Sequence, residues 1–145
     1  MVEILYFVGW TFMLYWVHRI IHVLPVLRDI HLQHHVYINK HNASRWHWNN
    51  LFLFNDTWIC TLDVWLTDVI PTLIFSAVTG AWWIFVFYYF WAALVQEKIE
   101  HNPRVNLYPI IGSGSWHLVH HRSSRNNYGL FVIFWDIVFG TNQYV

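Results

Sequence analysis

Nine of the eleven histidines in this chain fall into four groups along the sequence. Residues three and four apart lie on one face of an α-helix, so a motif with that spacing directs its imidazole rings the same way. Neutral imidazole is the commonest side-chain metal ligand. The groups are His18 with His22; His31 with His34 and His35; His101 alone; and His117 with His120 and His121.

This density of histidine predicts a site for two metal ions. Two transition-metal ions with four or five ligands each need about nine donors, which is what the four groups supply. Imidazole donors favour iron, zinc, copper or nickel over magnesium or calcium. The sequence leaves zinc open, and a redox role favours two iron ions. A pH switch fits poorly, because nine neighbouring rings would repel one another once protonated.

Four acidic residues are candidates to orient these rings. A ligating histidine usually donates its second ring N–H to a carboxylate or a carbonyl. Two more histidines, His41 and His47, lack the group spacing, and we interpret them as interfacial polar residues. The four acidic candidates are Asp29, Glu97, Glu100 and Asp136.

The composition favours a membrane protein. Of the 145 residues, 57% are hydrophobic, 21% aromatic and 11% charged, whereas soluble domains carry about 25% charged residues. The eleven tryptophans and eight tyrosines suit a membrane interface. A net charge of zero without a dense basic patch argues against nucleic acid as a partner. The single cysteine, Cys60, excludes an internal disulfide.

The apolar N-terminal segment predicts a membrane helix. It runs from Val2 to Val17 and leads directly into His18. It has no basic lead-in and no small-residue cleavage site, so it does not resemble a signal peptide. We expect a membrane helix, or the C-terminal part of one.

A second apolar region predicts a helical hairpin. The uncharged stretch Val69 to Val95 is interrupted at Gly80, and glycine commonly ends helices. Arms of about Trp58 to Val78 and Ala81 to Ile99 would each have a spanning length. Pro71 is expected to kink the first arm.

Asp63 and Asp68 fall inside the first arm of this hairpin. Acids within a span usually face a bundle interior or an interface, so we expect these two away from lipid.

The remaining segments predict a helical cap that carries the histidines. Every lysine and arginine lies in the segments that also carry the histidines and none lies at the hairpin tip, which indicates that the histidine side faces the cytosol. Within it we expect a helix over Asp29 to Tyr37, an interfacial loop over Asn39 to Asn55, and a helix with Ser115 as its N-cap. The apolar run Leu130 to Phe139 is too short to span and is expected to dock on the cap or the interface. The predicted fold class is therefore all-α, an integral membrane helical bundle with a cytosolic helical cap.

The order and spacing of these motifs resemble the fatty acid hydroxylase superfamily, which includes sterol desaturases, sterol methyl oxidases and fatty acid hydroxylases. The matching pieces cover nearly the whole chain. They are the HRxxH motif from His18 to His22, HxxHH from His31 to His35, His101 after the hairpin, HxxHH from His117 to His121, Asn127-Tyr128-Gly129, and Trp135-Asp136 with Phe139-Gly140-Thr141.

The resemblance implies one membrane domain over residues 1–145, with the nine histidines as ligands of a di-iron centre facing the cytosol of the endoplasmic reticulum. It implies that O2 and electrons from a cytochrome b5-type donor and its NAD(P)H reductase oxidise a lipid C–H bond. Relatives usually carry one or two further helices before the first motif, so we expect an N-terminally short domain.

Several alternatives remain open at this point. The sequence does not separate hydroxylation from desaturation, nor a fatty acyl from a sterol substrate, and it leaves a homo-oligomer open. One different function is a membrane metal-handling protein that binds zinc or iron. That function predicts ligands along a path through the bilayer, whereas these histidines lie at helix ends. A catalytically inactive relative is the third hypothesis.

Overall fold

In the computed structural model, residues 1–41 and 46–144 are described, and those residues form helices joined by turns and loops, with no strand among them. Helix α1, Val2–Ile21, extends beyond the predicted apolar segment and carries the first histidine, His18. Helix α2, Pro25–His41, carries the second histidine motif. Proline suits a first helical turn because it has no N–H to leave unpaired. The predicted all-helical class is confirmed for the described residues.

The predicted helical hairpin is confirmed, with arms Trp58–Thr79 and Trp82–Gln96. Gly80 ends the first arm in the left-handed region, at φ 74°, a conformation that glycine adopts without a steric penalty. The elements of the hairpin are α3 (Trp58–Val64), a π turn (Trp65–Val69), α4 (Ile70–Thr79), α5 (Trp82–Trp91), a second π turn (Ala92–Gln96) and α6 (Glu97–Ile99).

Each arm contains a wide π-helical turn near the histidine motifs. In the first arm this turn lies just before Pro71. Proline cannot donate to the carbonyl four residues earlier, so the irregularity expected around Pro71 lies in the preceding turn. The two π turns bury the polar side chains Thr67, Asp68 and Gln96. Asp63 and Asp68 are both buried inside the protein, as expected.

An aromatic core holds α1 against the hairpin. The indole of Trp10 is fully buried and donates a hydrogen bond of 2.9 Å to the hydroxyl of Thr72 in α4. Its ring lies 4.6 Å from the ring of Phe131 in the C-terminal segment. Ile84 and Tyr88 of α5 complete the same core. Burying large aromatic side chains is a major source of packing stability.

Two shorter helices follow the hairpin, α7 (Ser115–Arg122) and α8 (Phe134–Val138). The prediction of Ser115 as the N-cap of α7 is wrong, because Ser115 is the first helical residue. Gly114 is the N-cap, at φ 73°. The backbone of Val105 lies directly against the Gly114 Cα, where a Cβ would clash. The start of α7 is therefore decided by the close approach of Val105 to Gly114, which the sequence does not reveal.

The C-terminal segment packs back onto α1. Trp135 of α8 donates through its indole N–H to the Thr11 hydroxyl, at 3.1 Å. The hydroxyls of Tyr15 and Thr141 lie 2.9 Å apart. The short apolar run therefore packs on α1 rather than on the predicted cap, and its location at a membrane interface stays a prediction.

The predicted interfacial loop over Asn39 to Asn55 is partly helical, because α2 continues to His41 and a 3-10 turn covers Trp48–Phe52. Asn42 to Arg45 lie outside the described residues.

Two helices are long and apolar enough to cross a membrane by length and composition. They are α1, with 20 residues, and the first arm, with 22. Large hydrophobic side chains are exposed along both helices, among them Leu5, Ile74 and Val78.

Candidate metal centre

The nine grouped histidine rings lie together at one end of the hairpin, although up to about 100 residues separate them in sequence. Eight are buried and His22 is half-buried. The contacts between α2 and the elements α1, α3 and α7 bring the motifs together. His41 and His47 are exposed and lie outside the cluster, as predicted.

Five of the rings form one group in which a ligand atom of every member lies within 4.8 Å of those of the others. The Nε2 atoms of His18 and His31 are 3.1 Å apart, and those of His31 and His35 are 2.9 Å apart. The Nε2 atoms of His22 and His120 are 3.1 Å apart. We call these five residues the first histidine group.

The other four rings form the second histidine group: His34, His101, His117 and His121. Ligand atoms of His34, His101 and His121 lie within 4.8 Å of one another. His121 Nε2 is 3.0 Å from His101 Nε2 and 3.1 Å from His117 Nε2. A carboxylate oxygen of Glu100 lies 3.9 Å from His117 Nε2, so Glu100 approaches this ring from the ligand side.

Hydrogen bonds fix the protonation of three rings in the first histidine group. His18 Nδ1 lies 2.8 Å from the carbonyl of Tyr128, and His120 Nδ1 lies 2.6 Å from that of Asn126. His31 Nδ1 lies 2.8 Å from a carboxylate oxygen of Asp63. Carbonyl and carboxylate oxygens accept, so each Nδ1 carries the proton, and the neutral form of such a ring presents an Nε2 lone pair.

These lone pairs face one another. Two unprotonated Nε2 atoms at 3.1 Å, those of His18 and His31, repel each other unless a cation lies between or beside them. The arrangement fits the pattern of metal-binding histidines, whose second nitrogen donates to an oxygen. The residues present therefore fit a metal, and the chemistry is that of an imidazole-rich transition-metal site.

Asp63 joins the two histidine groups, a role that the sequence did not reveal. It accepts from His31 of the first group, and its second carboxylate oxygen lies 4.0 Å from Nδ1 of His34 in the second group. In the sequence, Asp63 stood out only as an acidic residue inside an apolar span. Because 32 residues separate Asp63 from His31, only tertiary structure identifies the partner.

The four predicted orienting acids behave differently from one another. The prediction that Asp29 orients a ring is wrong, because Asp29 is exposed and pairs with Arg28 at 3.3 Å. Glu100 touches a ring, but on its ligand nitrogen. The side chain of Glu97 lies outside the described part of the chain.

Asp136, the fourth acid, orients a histidine ring only indirectly. It accepts from the backbone N–H groups of Tyr128 and Gly129 and from the Thr141 hydroxyl, at 2.7 to 2.8 Å. It therefore holds the segment whose Tyr128 carbonyl accepts from His18, rather than contacting a histidine ring itself.

Burial keeps the rings neutral. Desolvation lowers the pKa of His22 to about 3 and that of His34 to about 4. Desolvation, followed by the charge of neighbouring rings, holds the pKa values of His101, His117 and His121 well below the ordinary value. A neutral imidazole is the form that binds metal, so the site is ready to accept cations at neutral pH.

The fold and site define a helical protein with apolar helices of spanning length and a buried polyhistidine centre. A family model described as fatty acid hydroxylase matches residues 3–141. The chain therefore belongs to the fatty acid hydroxylase family, and the predicted resemblance is confirmed.

Several curated relatives match most of this chain. A Delta(7)-sterol-C5(6)-desaturase of Nicotiana tabacum is 30% identical over 138 residues, covering 94% of this chain and 48% of that protein. A Delta(7)-sterol 5(6)-desaturase of Aspergillus fumigatus is 27% identical over 136 residues, covering 93% and 37%. One of Leptosphaeria maculans is 28% identical over 141 residues, covering 96% and 36%. The chain spans about half or less of the length of these relatives. No solved structure matches it.

Proposed function

We propose that this chain is a membrane-bound oxidoreductase that uses O2 and two histidine-bound iron ions to hydroxylate or desaturate a lipid C–H bond. One observation carries the proposal: the ring nitrogens of nine histidines converge in two adjacent groups, and Nδ1 partners orient three rings of the first group. Membership of the fatty acid hydroxylase family supports the same chemistry. When bound, the iron pair would supply the O2 and redox chemistry that side chains lack.

All nine histidines serve as metal ligands in this proposal. The first histidine group would hold one ion and the second group the other. Zinc also suits such ligands, and metal content tests that alternative. The ligands are His18, His22, His31, His34, His35, His101, His117, His120 and His121.

The protein's own contribution is to orient the donors and exclude water. Asp63 and the carbonyls of Tyr128 and Asn126 hold three rings with Nε2 directed inward. Burial of eight of the rings keeps bulk solvent away, and a dry, shaped site favours oxidation of the bound lipid over side reactions.

The substrate we propose is a sterol or a fatty acyl lipid. The relatives from Nicotiana tabacum and Aspergillus fumigatus are named as sterol desaturases, which favours a sterol. The exposed apolar faces of α1 and the hairpin support a location in a membrane, which we propose is that of the endoplasmic reticulum and from which such a substrate would enter. The histidine end would face the cytosol, where a cytochrome b5-type donor and its reductase supply electrons.

The first experiment is metal analysis of the purified chain beside two histidine variants. We expect about two metal ions per chain and iron-dependent O2 consumption. His120→Ala, inside the first histidine group, should lose metal, whereas His47→Ala, exposed and outside both groups, should not. Folded chain that holds no metal, or a single zinc ion, would exclude the proposed O2 chemistry, and the single zinc ion would favour a metal-handling role.

The second experiment identifies the substrate class. Lipids of a host that expresses the chain are compared with those of the same host expressing His117→Ala. A new hydroxylated or unsaturated sterol or acyl chain, present only with the intact site, supports the proposal. Identical lipid profiles, despite bound iron and a supplied electron donor, would contradict it.

A further inference from the structure

A small polar cavity separates the histidine cluster from the centre of the hairpin. Its volume is about 30 Å³, enough for one or two water molecules and too small for a lipid chain. Five of the nine histidines, from both groups, line the cavity. Four further polar side chains in its lining are Asn55, Thr67, Asp68 and Gln96.

The two π turns of the hairpin supply three of these four polar side chains. Thr67 and Asp68 belong to the turn of the first arm, and Gln96 ends the turn of the second arm. A π turn inserts an extra residue into a helix and redirects its side chains, and such turns are frequent at functional sites. Irregular turns in both arms thus meet at one cavity.

Asp68 differs from the other two acids that line the cavity. Asp63 is bound to His31, and Glu100 lies beside His117. The Asp68 carboxyl lies beside Gln96 and Thr67, while its Oδ1 has no hydrogen-bond partner among the described residues. The side chain is only 3% exposed. A buried oxygen left without a protein partner is a site for water.

We propose that this cavity is a water-binding site and that Asp68, which lies beside Gln96, transfers protons through the cavity water to the metal centre. The inference rests on the proposed function, because protons are needed there only if O2 is reduced. Asn55 is half-buried and marks the side of the cavity nearest to solvent. Protons would enter past Asn55 and reach Asp68.

The step balances with the overall reaction. Hydroxylation combines the lipid C–H, O2, two electrons and two protons into an alcohol and one water. Desaturation combines a –CH2–CH2– unit, O2, two electrons and two protons into an alkene and two waters. The external haem donor supplies the electrons. Asp68 gives its proton to the cavity water, the water passes one to the oxygen being reduced, and Asp68 takes up another from solvent.

The test compares Asp68→Asn with Asp68→Glu. Asn keeps the shape and a hydrogen-bonding oxygen but has no carboxyl proton to transfer. We expect Asp68→Asn to slow product formation about 10²-fold, the range for loss of a positioned proton-transfer group, and to increase the solvent deuterium isotope effect. Asp68→Glu should restore part of the rate.

The matched control is Ser76→Ala. Ser76 is in the same arm and is fully buried, and its Oγ also has no hydrogen-bond partner among the described residues, but it does not line the cavity. Its substitution should change neither the rate nor the isotope effect.

A second measurement separates proton transfer from a structural role and needs no activity. Metal-free Asp68→Asn should unfold at a temperature no lower than the wild-type chain, and after loading it should bind the same amount of metal. A lower unfolding temperature or lost metal would show a structural role and overturn the inference. An unchanged rate and isotope effect in an active protein would also overturn it, and would leave the proposed function intact. A wild-type chain without metal or product overturns both.

Discussion

At the scale of single residues, the nitrogen that carries the proton decides what a histidine can do. A ring whose Nδ1 donates to an oxygen has its Nε2 lone pair free for a cation. His18, His31 and His120 all have such a partner: the Tyr128 carbonyl, the Asp63 carboxylate and the Asn126 carbonyl. The spacing of the histidines predicted the clustering of rings, but none of these partners was identified.

Asp63 offers the sharpest test at this scale. Asp63→Ala removes the acceptor for His31 Nδ1 and the carboxylate beside His34. Loss of such an orienting partner typically lowers metal affinity about 10–100-fold. Titration of metal-free protein with iron or zinc, followed by competition with a chelator, measures the change.

The control for this prediction is Asp29→Ala. Asp29 also lies near the second histidine motif, but it is exposed and pairs only with Arg28 among the described residues. Its variant should bind metal as tightly as the wild type. Equal affinities for Asp63→Ala and the wild type would show that the bond to His31 does not orient a ligand.

At the scale of elements, periodicity predicted helices well and their irregularities poorly. The helical spacing of the histidine motifs placed His31, His34 and His35 on one helix, as found. The two π turns were not predicted, because a helix with one extra residue keeps the same apolar composition. Ser115 was misplaced as an N-cap because residue spacing does not reveal the close approach of Val105 to Gly114.

The hairpin tip allows a conformational test of one element. Gly80 has φ 74°, and a Cβ there would meet no atom within 4 Å. Gly80→Val should therefore destabilise the protein by about 1–2 kcal/mol through backbone strain alone. Gly80→Asn should cost less, because asparagine tolerates the left-handed region. Denaturant unfolding in detergent measures both.

The metal site should stay intact in both hairpin variants, since the tip lies outside the histidine groups. Equal unfolding free energies for Gly80→Val and Gly80→Asn would indicate that the left-handed conformation is not what limits this position.

At the scale of the whole molecule, stability and metal binding depend on the same buried rings. The pKa values of His101, His117, His120 and His121 lie well below their ordinary value of 6.5, chiefly because burial disfavours the charged form. In the unfolded chain these rings regain ordinary pKa values. Folding without metal therefore holds several imidazoles in their neutral form.

This difference predicts how metal-free protein responds to acid. Below a pH of about 6.5 the unfolded state binds more protons than the folded state, so the free energy of unfolding falls as pH falls. Above that pH this contribution is fully present and constant. Each ring that must be protonated on unfolding adds a slope of about 1.4 kcal/mol per pH unit. Unfolding at several pH values measures the summed slope.

His41→Asn provides the control, because that ring is exposed in the folded protein and its loss should leave the slope unchanged. A metal-free protein whose stability does not change as the pH is lowered through 6.5 would contradict the burial of neutral rings.

The sequence alone determined the chemistry available to this protein and the helices that carry it. Residue type and spacing are local properties, and they sufficed for the histidine motifs, the hairpin and the family. Tertiary structure decided which rings share a group, that Asp63 links the two groups, and that Asp68 faces a cavity. These are relations between segments distant in sequence, and only the packing of the helices brings such segments into contact.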